Sequence, residues 1–175
     1  MPLIQKIAPR GIDINIDKLQ VKLFDGLGWD SLPSVTYESN HRAYKNETSD
    51  GIIPEVYDGI KEYREVVFND KIDASSFFLV DDSRSGESPF NTTVSVIFQL
   101  KLDKIFPNVT HRADEEAHAD VLNILKTNQA GAKISSLVVG LSNVYSGLIV
   151  DTSKYNDMQP FHVFKVDMDV NYSNC

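Results

Sequence analysis

The sequence is almost without cysteine, since its one thiol is Cys175 in a chain of 175 residues. A single cysteine cannot form an internal disulfide, and it excludes a Cys-based zinc site. The chain also lacks an apolar run near the 18 residues that a membrane-spanning helix requires. Its first six residues carry one basic side chain and no long apolar run, which is unlike a signal peptide. We therefore expect a protein of a reducing compartment with no membrane segment.

Basic residues are fewer than acidic ones, 17 against 25, which gives a formal charge of −8. Tight binding to nucleic acid needs a basic face that neutralises phosphates, so this balance disfavours DNA or RNA as a ligand. An acidic channel would repel a duplex and let it slide. Passing DNA is therefore compatible with this charge.

Catalytic motifs are missing as well. The sequence has no Gly-rich phosphate loop, no G-x-S-x-G elbow and no cysteine in a position suited to a nucleophile. We expect a protein that is not an enzyme and that carries no cofactor.

The length predicts a single domain at residues 15–175, preceded by an N-terminal arm at residues 1–14. The arm should be loose unless a partner holds it. Its apolar residues follow no clear period and include Leu3, Ile4 and Ile7.

Two helices are predicted from apolar residues that recur at helical spacing. The first runs from Ile16 to Leu27, with Asn15 as its N-cap. The main helix has Thr110 as its cap and ends before Gly131. Acidic residues near its start suit the positive end of the helix dipole.

The rest of the chain is predicted to be β. Thr93–Leu102 shows strict apolar–polar alternation over ten residues, and Phe161–Tyr172 alternates in the same way. A hairpin is predicted around Ser34–Tyr37 and Arg42–Lys45. The other predicted strands are Ile52–Tyr57, Tyr63–Asn69, Ser75–Val80, Lys133–Leu141 and Tyr145–Asp151. The predicted class is α+β: a mostly antiparallel sheet with two packed helices and an extended N-terminal arm.

One segment has the residue types of a metal site. Glu115 and Asp114 lie three and four residues before His118, so either carboxylate could share a metal with it on one helical face. Carboxylate-bridged metal sites need a second such motif and further glutamates on facing helices. The simpler interpretation pairs His118 with a carboxylate one turn earlier, at a helix start.

Two other acidic groups are interpreted as solvated surface. The loop Asp81–Glu87 is superficially similar to a calcium loop but lacks the ligand spacing of an EF-hand. A second group has carboxylates that general acid–base catalysis would need. Its members are Asp50, Glu55, Asp58, Glu62 and Glu65.

Candidate interface residues are concentrated in a polar region that is rich in tyrosine, a residue type favoured at interfaces. They are Tyr37, Tyr44, Tyr57 and Tyr63, together with the arm residues Leu3, Ile4 and Ile7 and with Arg84 of the acidic loop at 81–89. The alternative is that the tyrosines cover a sheet edge within the same chain.

Several segments resemble neck proteins of tailed phages and prophages of Bacteroides-type bacteria, crAss-like phages among them. The order of elements is similar to that of tail-terminator and head–tail joining proteins, and the likeness covers residues 15–172. The segments are Arg42-Ala43-Tyr44, Asp50-Gly51-Ile52-Ile53-Pro54-Glu55, Tyr63-Arg64-Glu65-Val66, Ser76-Phe77-Phe78-Leu79 and His111-Arg112-Ala113-Asp114-Glu115-Glu116.

The resemblance implies a tail-terminator-like fold and a structural subunit of a homo-oligomeric ring between portal and tail. Adjacent portal or connector and tail proteins would be its partners, and DNA would pass through the ring without specific binding. The protein would belong to the virion neck, and to the host cytoplasm during assembly. The family has no catalytic residues, and the ring could be a terminator, a connector or one next to the tail tube.

Two other classes of function stay open. One is a metal-binding protein or metalloenzyme using Asp114, Glu115 and His118. The other is a small-ligand binding domain, which would require a closed apolar pocket.

Overall fold

A computed structural model describes residues 3–57, 60, 62–66, 69–127, 129–153 and 155–174. In this part of the chain seven strands and four α-helices are found, with two short 3₁₀ turns at Trp29–Ser31 and Gln129–Gly131. The helices are α1 (Ile12–Leu27), α2 (Leu102–Ile105), α3 (Asp114–Leu125) and α4 (Leu141–Val144). The strands are β1 (Tyr37–Thr48), β2 (Gly51–Tyr57), β3 (Tyr63–Glu65), β4 (Ala74–Val80), β5 (Phe90–Lys101), β6 (Ala132–Val139) and β7 (Phe161–Tyr172).

All seven strands form one sheet in the order β3-β2-β1-β4-β5-β7-β6. The neighbours β1 and β4 are parallel, and every other neighbouring pair is antiparallel. The predicted α+β class and mostly antiparallel sheet are therefore confirmed. In addition to the two predicted helices, the described part of the chain contains two short ones, α2 and α4.

Helix α1 begins earlier than its sequence pattern predicts. Gly11 precedes its first residue with φ 56°, and Asn15 is inside the helix, where its side-chain amide donates to the Ala130 carbonyl at 2.6 Å. The cap predicted at Asn15 is therefore wrong. The last three residues of the predicted arm, Ile12–Ile14, belong to α1, and Ile12 is buried in the core.

The face of the sheet that α1 and α3 cover contains the main core. Phe98 of β5 stacks on Phe164 of β7 at 5.1 Å between ring centroids, and Trp29 meets Phe98 edge-on at 6.0 Å. Burying a ring of this size contributes about 1.5–3 kcal/mol relative to leaving it in water. The N-cap of α3 is Ala113 without a side-chain bond, so the predicted cap Thr110 is wrong.

Residues 141–150 pack on the second face of the sheet. The strand predicted at Tyr145–Asp151 is wrong, because this segment forms no strand and packs on the sheet instead. Gly140 and Gly147 have φ of 92° and 76°, values that L side chains rarely adopt. Val144 and Tyr145 are buried there, in a second core cluster with Phe77, Ile97 and Val163.

The hairpin predicted around Ser34–Tyr37 and Arg42–Lys45 is also wrong. Residues 37–48 form one twelve-residue strand, β1, which turns at residues 49–50 into β2. The other predicted strands are found with bounds shifted by at most three residues, except that β3 ends at Glu65 instead of Asn69. Residues 67 and 68 of that prediction lie outside the described part.

No described helix has both the length and the apolar character needed to cross a membrane.

Candidate functional site

A groove lies between the N-terminal arm and the strands β1, β2 and β3. We call it the tyrosine groove, and its volume is about 290 Å³. It brings together five of the eight interface residues predicted from the sequence. The residues that line it are Ile4, Gln5, Lys6, Ile7, His41, Arg42, Tyr44, Tyr57 and Tyr63.

Three tyrosine rings form the strand side of the groove. Tyr63 meets Tyr44 edge-on at 5.7 Å between ring centroids and tilts against Tyr57 at 5.4 Å. Tyr57 is 40% exposed, Tyr63 56%, and Ile7 on the opposite wall 94%. The rings of Tyr44 and Tyr57 thus both contact Tyr63, while much of the apolar surface of Tyr57, Tyr63 and Ile7 faces water.

The polar side of the groove is built around Asp13 of α1. Its carboxylate pairs with Lys6 of the arm, and Arg42 Nε lies 3.3 Å from Asp13 Oδ1. The Arg42 guanidinium also lies over the Tyr44 ring, 4.8 Å from its centroid. Burial lowers the pKa of His41 below its usual range, and Asp13 opposes this only in part, so the imidazole is neutral at pH 7.

The arm is held on its own domain up to Lys6. Leu3 forms a parallel bridge with Ser39 of β1, and the Ile4 amide donates to the Ser39 carbonyl at 2.8 Å. The side chain of Gln20 donates to the carbonyls of Ile4 (2.9 Å) and Ser39 (3.0 Å). Leu3 and Ile4 therefore contact the domain, whereas Ile7 projects from it.

Three predicted interface residues do not line the groove: Leu3, Tyr37 and Arg84. Tyr37 is 1% exposed and stacks on Phe24 within the main core, where burial raises the pKa of its hydroxyl to about 12. Arg84 donates to the Tyr172 hydroxyl at 2.9 Å, in the loop that precedes β5.

The predicted metal residues are turned to other partners. His118 is buried on α3, and its Nε2 lies 2.8 Å from Nε2 of His162 in β7. Its Nδ1 lies 3.5 Å from Glu115 Oε1, while Asp114 pairs with Arg112 at 3.4 Å. Among the described residues, no group of three or more His, Cys, Asp or Glu side chains could hold a metal ion.

The sequence did not indicate the partners that complete this histidine pair. His162 Nδ1 lies 2.9 Å from both Asp157 Oδ1 and Arg112 Nη2, and Arg112 also donates to Asp157 at 2.8 Å. Burial lowers the pKa of His118, and the neighbouring His162 lowers it further. The acidic segment before His118 was visible in the sequence, but the contact with β7 depends on strand register.

A second concavity of about 360 Å³ opens on the other face of the sheet. Its lining combines apolar side chains such as Phe77 with ion pairs: Arg64 pairs with Glu38 and donates to Asn40 at 3.0 Å, and Lys101 lies 3.5 Å from Asp73. A binding domain for apolar ligands needs a closed apolar pocket, and this concavity has a different character.

No protein-family model matches the chain, and neither curated proteins nor solved structures give a match. The fold and the site define an α+β domain with a filled core on both faces of its sheet and an aromatic groove open to water.

Proposed function

We propose that this protein is a structural subunit of an oligomeric ring in the neck of a tailed phage. The ring would join the portal or head to the tail around the DNA channel, with adjacent portal or connector and tail proteins as its neighbours. The neck assignment rests on the sequence resemblance alone. The tyrosine groove is the observation that carries the assembly role.

The groove has the composition of an interface centre. Tyrosine is enriched in the residues that dominate binding energy, and clustered rings supply large contact areas with few rotatable bonds. Tyr57, Tyr63 and Ile7 leave apolar surface in water although the domain core is complete without them. A neighbouring subunit that covered them would gain hydrophobic stabilisation of about 25 cal/mol per Å² of apolar surface removed from water.

A pair of substitutions tests this role. Tyr57→Ser together with Tyr63→Ser should abolish ring formation, because it removes the exposed rings and leaves the core side chains in place. Native mass spectrometry and negative-stain microscopy measure the assembly, and thermal unfolding checks the fold. Met158→Ser is the matched control, since Met158 is 69% exposed and does not line the groove.

Two outcomes contradict the proposal. Assembly of the double variant at wild-type concentrations would exclude the groove as the contact. A wild-type chain that stays monomeric at every concentration, and is absent from virions, would count against the ring itself.

A metal-binding role for Asp114, Glu115 and His118 has less support, because His118 Nε2 already bonds His162. Metal analysis of the purified protein tests that alternative, and a stoichiometric metal would revive it.

A further inference from the structure

The sheet has two free edges, formed by β6 at one side and β3 at the other. Within the described part of the chain, neither strand has a neighbour beyond β7 and β2, respectively. A free edge presents unpaired backbone amides and carbonyls, which pair readily with a strand of another chain. Proteins usually protect such edges with charges, proline or a bulge. In β6 the segment Ile134–Val139 has no charge and no proline, and its single irregularity lies between Ile134 and Ser136.

The two edges run in opposite directions. Starting from β1, the antiparallel steps through β2 make β3 parallel to β1. In the other direction, β4 is parallel to β1, β5 is reversed, β7 is parallel again and β6 is reversed. When copies of the sheet are placed side by side in the same orientation, β6 of one copy therefore meets β3 of the next as an antiparallel neighbour.

The exposed apolar side chains at both edges lie on the same face. Leu137 and Val139 of β6 are directly opposite Val166 and Phe164, which belong to the core under α1 and α3. Leu137 is 38% exposed and Val139 44%. At the other edge Tyr63 is opposite Tyr57, and the alternation from Val56, a member of the second-face cluster, places both rings on the helix face.

We propose that β6 of one subunit pairs antiparallel with β3 of the next, so that the sheet continues across each subunit interface. This inference rests on the proposed ring and names the contact that would build it. Such a contact joins two different patches, which is the head-to-tail geometry from which closed rings arise. Leu137 and Val139 would then lie beside Tyr63, at the rim of the tyrosine groove.

Disulfide trapping between two separately labelled chains tests the pairing. Both chains carry Cys175→Ser, which removes the native thiol; one adds Leu137→Cys and the other Tyr63→Cys. Under assembly conditions the mixture should form a reducible cross-link between the two different chains, and each chain alone should form much less. Met158→Cys replaces Tyr63→Cys in the control mixture, where no cross-link is expected.

A second pair of substitutions tests the contact without cysteine chemistry. Leu137→Lys with Val139→Lys should lower the assembled fraction by about tenfold or more, since burying unpaired charges at an interface is costly. Thermal unfolding verifies that the variant is folded, which is expected because both positions are partly exposed.

The outcomes separate this inference from the proposed function. Two results together would overturn the edge pairing and leave the proposed ring standing. The double-lysine variant would still form rings, and the mixture of cysteine variants would give no cross-link between the two different chains. A dominant cross-link between two Leu137→Cys chains would show a two-fold β6–β6 contact and overturn head-to-tail pairing. A wild-type chain that never assembles would overturn both proposals.

Discussion

Two buried imidazoles, those of His118 and His162, meet through their Nε2 atoms at 2.8 Å. One nitrogen must carry the hydrogen and the other must offer its lone pair, so only one proton fits between them. His162 Nδ1 either donates to Asp157 or accepts from Arg112, and each choice fixes which Nε2 is the donor. Full protonation of both rings breaks the central bond and places two cations side by side in the core.

Because of the His118–His162 pair, we expect the folded protein to lose stability in mild acid. The folded-state pKa of His118 is below the 6.5 of a free imidazole, because burial and then His162 disfavour its charged form. The unfolded chain therefore takes up the proton first as the pH falls. The stability that the neutral ring contributes is complete above about pH 6.5, and it is lost as the pH falls through the folded-state pKa.

Urea unfolding at pH 7.5 and pH 5.0 measures this effect. His118→Gln, which keeps polar atoms but cannot titrate, should reduce the difference in unfolding free energy between the two conditions. His111→Gln is the control, because His111 is exposed before α3 and should leave the difference unchanged. An equal acid response in wild type and His118→Gln would refute the role of the pair.

At the scale of single elements, the strands that alternate cleanly were predictable and β1 was not. Alternation in β5 and β7 reflects one buried face, and their pairing is continuous over twelve residues. In β1 the buried residues include Ser39, Asn40 and His41, whose polarity hides the strand pattern. Hydrogen bonds make the burial of Ser39 and Asn40 tolerable: Ser76 donates to the Ser39 hydroxyl at 3.3 Å, and Asn40 donates to Glu38 at 3.0 Å.

The site was predictable in residue type but not in arrangement. Tyr44, Tyr57 and Tyr63 were predicted as interface candidates, and β-pairing places them side by side. Their meeting with Ile4 and Ile7 depends on the bond between the arm and Ser39, a long-range contact that leaves no periodic signal in the sequence. The burial of Tyr37 likewise follows from the packing of α1 on β1, which residue composition does not encode.

The N-terminal arm should contribute to both the stability of the domain and its assembly. Deleting residues 1–7 should leave a folded domain, because α1 starts only at Ile12, but it removes the Ile4 bonds to Ser39 and Gln20 and the Lys6 contact with Asp13. At about 0.5–1.5 kcal/mol for a typical hydrogen bond, we expect the free energy of unfolding to fall by roughly 1–3 kcal/mol. Chemical denaturation measures the change, and native mass spectrometry should show that the ring is lost.

Ile7→Ser separates assembly from stability. Ile7 is 94% exposed, so this change should leave the unfolding free energy within about 0.5 kcal/mol of wild type and still weaken the ring. If the deletion unfolds the domain, the arm is part of the core and not a clamp. If Ile7→Ser assembles normally, the exposed end of the arm is not a contact.

For the molecule as a whole, the formal charge of −8 predicts that DNA is not a ligand. Fluorescence anisotropy with a short labelled duplex at about 150 mM salt should show no binding tighter than about 10⁻⁴ M, the weak end of the non-specific range. Micromolar binding that weakens steeply with added salt would reveal a basic surface and contradict a channel that lets DNA slide.

The position of β7 in the sheet also has a consequence for how the molecule is made. β7 follows the other six strands in chain order, yet it lies in the interior of the sheet, between β5 and β6. Until the ribosome has released it, β5 lacks one neighbour and β6 has no strand to pair with. Long-range pairing of this kind slows folding. The free edge of β6 can therefore form only after synthesis of β7, which delays any edge-to-edge contact until the rest of the sheet is available to orient it.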